Sequence, residues 1–228
     1  MKPSSVMPTK AVAAARRGFL GLAISAFGAA VLAAVPGTNL VTPASAASDT
    51  AQKIADHFSS VATMSGEFVQ FGPRGEQTGG KFYIERPGKV RFKYESPANF
   101  EVVSDGQTVV LENTKLRTAD VYPLSKTPLK LLLDSSIDLS GDKVRSVKEE
   151  ADATTIQLAD KSVFGDSTIT MMFDPKSFEL KQWTITDAQG RDTTVMIFNV
   201  EKGVTFDPSV FTIDHQRINS MKQTKRDR

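Results

Sequence analysis

Cysteine is absent from the 228-residue chain, and histidine is nearly so, at His57 and His215 alone. The first absence excludes disulfides and thiol chemistry, so stability has to come from burial and sheet hydrogen bonding. The second leaves little for acid–base or metal chemistry, because a lone histidine is more often structural than catalytic. No G-x-S-x-G elbow, HExxH helix, phosphate loop or clustered metal-ligand spacing occurs, and the carboxylates are scattered through predicted strands and turns. The expectation is a protein with no catalytic residue, no metal and no cofactor. Long apolar runs are also missing outside the first forty-six residues.

Those first residues read as an address. Lys2 and Lys10 precede Arg16-Arg17-Gly18-Phe19-Leu20, and Leu20 to Val35 is apolar or small without a charge. Ala44-Ser45-Ala46 then offers the small-x-small pattern of a signal peptidase site, which predicts cleavage before Ala47. The paired arginines followed by x-Phe-Leu fit a twin-arginine export signal, although general secretory signals also carry such pairs. The apolar run falls short of the ~20 residues of a spanning helix. No Cys follows the cleavage point, so the chain is not itself a lipoprotein. The expected location is the periplasm.

Removing the leader reverses the charge. The precursor has 28 Lys and Arg against 26 Asp and Glu; the leader holds four of the bases and no acid, leaving 24 against 26. The basic balance thus belongs to the address and gives no argument for a nucleic-acid partner. Residues 222–228 form a basic C-terminal tail, and residues 47–221 are the right size for one domain with a real core.

Within that domain, Ser48-Asp49 predicts an N-cap ahead of Ala51, Ile54, Ala55, Phe58 and Val61, the stripe of an amphipathic helix. Eleven short segments of strand character follow, over 66–71, 80–85, 89–94, 100–103, 108–112, 115–121, 143–149, 154–158, 167–173, 179–186 and 193–200. Asp105-Gly106 is the strongest hairpin signal among them. That spacing predicts an antiparallel sandwich, barrel or part-barrel. One segment breaks the rhythm: Thr127 as N-cap, Pro128 at the first helical position, then Leu129, Leu131, Leu132 and Leu133. So apolar a turn has to cover an apolar surface, either as a cap on a closed core or as a lid on a cavity.

The sharpest local feature is a corner. Phe82 and Ile84 share one face of a strand, and the same alternation puts Arg86 in phase with them. After Pro87-Gly88 the phase resumes with Val90, Phe92 and Tyr94. Strand-end arginines ordinarily snorkel to solvent, and alternation alone leaves Arg86 exposed. The other reading has Arg86 bonding whatever covers the apolar face, since an unpaired buried charge is expensive.

Several of these blocks together resemble the periplasmic outer-membrane lipoprotein carrier family, LolA. They are Ser65-Gly66-Glu67-Phe68-Val69-Gln70, the corner Gly80 to Lys89, Tyr94 with Pro97, Val103-Ser104-Asp105-Gly106, and Thr127-Pro128-Leu129 with its leucines. The resemblance implies a mainly β fold with helices: an open, strongly curved antiparallel half-barrel whose apolar concave face is covered by short lid helices. It implies that Arg86 is a latch, bonding carbonyls of the lid, and that Thr127, Pro128 and Leu131 belong to the lid helix. Residues in phase with Arg86 or on the lid are then the acyl-chain cavity: Phe82, Ile84, Val90, Phe92, Leu129, Leu132 and Leu133, with Phe68, Ile169, Met171 and Trp183 beside them. For each, ordinary core packing is the competing reading. Val90 departs from the pattern, since family members commonly carry an aromatic residue there.

The function implied is a monomeric periplasmic chaperone that takes acylated lipoproteins from an inner-membrane lipoprotein-releasing ABC transporter complex to an outer-membrane acceptor. The alternative is a binding or sensing module for lipoproteins or other amphiphiles without a transport role.

Overall fold

A computed structural model describes residues 49–139, 143–162 and 165–226. The export leader, its cleavage point and the expected N-cap Ser48 lie outside the described residues. Helix α1 spans Asp49–Ser60, and its stripe of Ala51, Ile54, Ala55 and Phe58 is buried. The strands are β1 (Thr63–Phe71), β2 (Gln77–Glu85), β3 (Lys89–Tyr94), β4 (Phe100–Asp105), β5 (Thr108–Asn113) and β6 (Thr118–Pro123), then β7 (Val144–Glu149), β8 (Thr154–Ser162), β9 (Gly165–Phe173), β10 (Leu180–Thr186) and β11 (Asp192–Lys202). Helix α2 (Leu129–Leu133) lies between β6 and β7, and helix α3 (His215–Arg226) follows β11.

All eleven strands join one antiparallel sheet in the order β6-β5-β4-β3-β2-β1-β11-β10-β9-β8-β7. Two meanders, β1 to β6 and β7 to β11, are sewn together by the β1–β11 pair. This order makes β6 and β7 the two outer edges. The connection between them must therefore travel from edge to edge, and it carries α2 across the sheet.

The sheet is curled around that connection. Phe92 on β3 and Trp183 on β10 are four strand spacings apart, which is about 19 Å on a flat sheet. Their ring centroids are 6.0 Å apart. Only strong curvature brings them together, so the open half-barrel expected from the resemblance is the fold observed. The inner face follows register rows such as Phe82–Phe92–Val102–Leu111 on one wing and Val195–Trp183–Met171–Ile156 on the other.

Turn chemistry sets the corners. At Asp105 a side-chain oxygen accepts from the N–H groups of Gln107 and Thr108 at 2.9 and 2.8 Å, and Gly106 takes φ +101°. Gly88 has φ +81°, and a Cβ there would fall 2.9 Å from the Cα of Gly106, so only glycine fits where the two hairpins meet.

Three details differ from expectation. Strand β6 starts at Thr118 instead of Lys115, because the Asn113 side chain accepts from the N–H of Leu116 and Arg117 takes φ +53°, which makes 114–117 a turn. Thr127 does not cap α2 with its side chain; its hydroxyl donates back to the carbonyl of Leu124 at 2.9 Å, and Pro128 occupies the cap position in αR conformation. Helix α3 was not expected, and the basic segment from Lys222 is its end as far as Arg226. It packs on the outer face, where Ile213 and Ile218 meet Val103 and Val110.

Candidate functional site

Arg86 is 8 % exposed at the end of β2, on the same inner face as Phe82 and Ile84. The solvent-facing position that alternation alone suggests is therefore not the one adopted. Its Nη1 donates to the carbonyl of Val61, just past α1, at 2.7 Å, and its Nη2 donates to the carbonyl of Leu132 on α2 at 3.3 Å. Short helices leave such carbonyls without partners of their own, and a planar five-donor fork can serve two at once. The backbone reinforces the same place: Arg86 N–H bonds the carbonyl of Ala62 at 2.7 Å, and Gly88 N–H bonds that of Leu133 at 3.0 Å.

The guanidinium is nonetheless poorly compensated. It has no carboxylate partner among the described residues, and its Nε finds no acceptor. The face of Phe58 lies 4.3 Å from Cζ and supplies the remaining attraction. Burial pushes the Arg86 pKa down to about 10, still far enough up for a full charge near neutrality.

Around this point the residues singled out from the sequence come together. Phe68, Phe82, Ile84, Val90, Phe92, Leu131, Leu132, Leu133, Ile169, Met171 and Trp183 are all buried in one apolar cluster, and Leu129 packs against it half-exposed. Within that cluster the structure separates close-packed core from open space. A cavity of about 330 Å³ runs under the N-terminal end of α2, lined by Phe92, Trp183, Thr127, Pro128 and Leu129 from the expected set. The others on the list lie in the cluster outside this lining. Val90 is one of these; it pairs with Ile84 and Ser104 and is fully buried.

The cavity also uses residues that were not expected in it: Tyr94, which shares the strand phase of Val90 and Phe92, and Phe100, Val102, Val109, Leu111 and Val195. Their strand phase was available as a signal, since Val109 and Leu111 alternate with Val110 and Glu112, which face α3. Tyr94 donates its hydroxyl to Gln70 Oε1 at 2.6 Å, and burial raises its pKa. It is therefore a neutral wall residue whose polar end is satisfied. Its ring makes edge contacts with Phe68 and Phe100 at 4.9 and 5.3 Å between centroids.

The walls are thus apolar and aromatic, with few polar groups that could fix a rigid polar ligand. At about 330 Å³ the space is near the lower limit of ligand pockets, roughly 300–1,000 Å³. Among the described residues, no group of three or more His, Cys, Asp or Glu is placed to hold a metal ion.

Comparison with known proteins finds relatives of the chain. An outer-membrane lipoprotein carrier protein of Chromohalobacter salexigens is 30% identical over 203 residues, covering 78% of this chain and 90% of its own. One from Methylococcus capsulatus is 27% identical, covering 67% and 77%. The crystal structure of a LolA superfamily protein from Nitrosomonas europaea superposes with a TM-score of 0.41 at 12% identity, covering 74% of this chain and all of that one. The model of the outer membrane lipoprotein carrier protein LolA matches residues 59–214, from the end of α1 to the start of α3, and so the chain belongs to the LolA family, a family of carriers.

Proposed function

We propose that this protein shelters the acyl chains of lipoproteins under α2 and carries them through the periplasm from the inner to the outer membrane. The need is set by transfer energy. Each methylene exposed to water costs about 0.8 kcal/mol, so two or three acyl chains would cost tens of kcal/mol to move bare. An inner-membrane releasing complex of the ABC transporter type and an outer-membrane acceptor are the partners this reading requires.

The observation that carries the reading is the asymmetry at Arg86. Its bond to Val61 is 2.7 Å long and its bond to α2 is 3.3 Å. The longer bond is the weaker one, and it joins the element that has to move. Incoming acyl chains push α2 aside and break that bond while Arg86 keeps its anchor on Val61. The freed Nη2 then sits next to apolar cargo with no acceptor, which favours closure and expulsion. A carrier must give up what it binds, and an arginine left unsatisfied by loading supplies that tendency.

The test is a transfer assay with Arg86→Leu. The leucine variant binds lipoprotein at least as well as the original protein and hands it to an acceptor more slowly, by tenfold or more. Transfer at the original rate sinks the latch, and absence of lipoprotein binding by the unmodified protein sinks the carrier reading.

A further inference from the structure

Gln52 on helix α1 bonds the backbone of the connection beyond α2. Gln52 donates from Nε2 to the carbonyl of Ile137 at 3.1 Å and accepts at Oε1 from the N–H of Leu139 at 3.2 Å. The orientation of the amide is fixed by chemistry: Nε2 also donates to Asp56 Oδ1 at 2.8 Å, and a carboxylate can only accept. Ile137 and Leu139 are 4 % and 3 % exposed, so the peptide groups beside them have little access to water. The primary amide presents one donor and one acceptor to that stretch and takes the place a neighbouring strand would fill.

We propose that Gln52 is a positioning residue, a second fastening that holds the β6-to-β7 connection down from the α1 side. This rests on the reading of that connection as a lid. From α2 onward the fastenings then fall on one side of the cavity. Leu132 and Leu133 are tied to Arg86 and Gly88, and Ile137 and Leu139 to Gln52. The cavity lies at the other end, under Pro128 and Leu129. Opening therefore starts where α2 begins and is resisted from Leu132 to Leu139. Beyond Leu133 the burial of Ile137 and Leu139 holds the connection, and Gln52 adds the polar fastening there.

The consequence is measurable as a population. Two hydrogen bonds of ordinary strength shift a closed-to-open equilibrium by roughly tenfold, and apparent affinity for anything that needs the open form shifts with it. Gln52→Met keeps side-chain length and helix propensity but removes both bonds. Gln52→Asn keeps the amide but is one methylene too short to reach.

The experiment is a titration of both variants with cis-parinaric acid, with hydrogen exchange followed at the Leu139 amide. Both variants are expected to bind the acid about tenfold tighter and to exchange Leu139 faster. In an Arg86→Leu background the added gain from Gln52→Met is smaller, because both residues act on the same opening. The proposal is overturned if both variants keep wild-type Leu139 exchange, or if exchange rises and affinity stays unchanged while Arg86→Leu alters it. If neither the original protein nor Arg86→Leu binds the acid, it is the cavity reading that fails. The exchange rate at Leu139 then still decides whether Gln52 fastens the connection.

Discussion

The guanidinium carbon of Arg86 lies 4.3 Å from the centre of the Phe58 ring, so a cation on β2 rests on an aromatic face supplied by α1. Phe58 also meets Phe173 edge-on at 5.5 Å, which holds the ring in place. The contact offsets part of the cost of burying a charge that has only two carbonyl acceptors. Phe58→Leu keeps most of the apolar volume and removes the quadrupole, and a desolvated cation–π contact contributes about 2 kcal/mol. The variant is expected to unfold at lower urea by an amount matching about 1–3 kcal/mol, with no change in slope. It also takes up cis-parinaric acid faster, because Arg86 is held less firmly against α2.

Acyl binding should not depend on pH between 5 and 8. Burial places the folded pKa of Arg86 at about 10, below its unfolded value. The folded state therefore disfavours the charged form, and this unfavourable contribution is constant below about 10. It is relieved only as pH rises from there towards the unfolded pKa. Titrations of cis-parinaric acid at pH 5, 6.5 and 8 check this. A tenfold drift in affinity across that range, beyond that caused by ionisation of the acid's own carboxyl group, means that a group other than Arg86 controls the opening.

Trp183 is the single tryptophan of the chain, it is 2 % exposed, and it lines the cavity. Its emission is therefore a reporter of occupancy. A fatty acid brominated near its methyl end should quench Trp183 on binding, and the unbrominated acid should not. Val102→Trp, on the β4 wall of the same cavity, fills the space and should lower acyl affinity by tenfold or more. Unchanged Trp183 emission at saturating brominated acid would show that the ring does not line the space the ligand occupies.

What the sequence made legible follows from how local each signal is. Most strands carry a buried face, so alternation and β-branched runs located all eleven, including the edge strands β6 and β7, whose residues are at most half-buried. The leucines of α2 announced a covering element for the same reason. The cavity was less legible because curvature is not local. Phe82 and Phe92 share a phase and a register pair, yet Phe92 lines open space and Phe82 does not. Gln52 gives no periodic signal at all, being a polar residue on the flank of an otherwise well-patterned helix. Helix α3 was hidden by its composition, since its apolar contact with the sheet rests chiefly on Ile218 and the rest of it, Met221 apart, is polar.

The outer face offers a last test, independent of cargo. Glu112 on β5 is buried, and Arg217 on α3 reaches it with both Nη atoms, Nη2 at 2.8 Å from Oε2. The carboxylate raises the Arg217 pKa through that hydrogen bond, so the guanidinium keeps its charge across the range in which the protein works. Arg217 is nearly half-exposed and loses little when released, but Glu112 is enclosed, and its partner's removal leaves an ion in a dry site. Arg217→Ala is therefore expected to cost about 1–3 kcal/mol, visible as a lower urea midpoint and faster exchange along α3. Pairing it with Glu112→Leu removes the stranded charge and restores most of the loss. A double variant as unstable as the single one would mean that α3 is held by Ile213 and Ile218 alone, and that the ion pair only sets its register on β5.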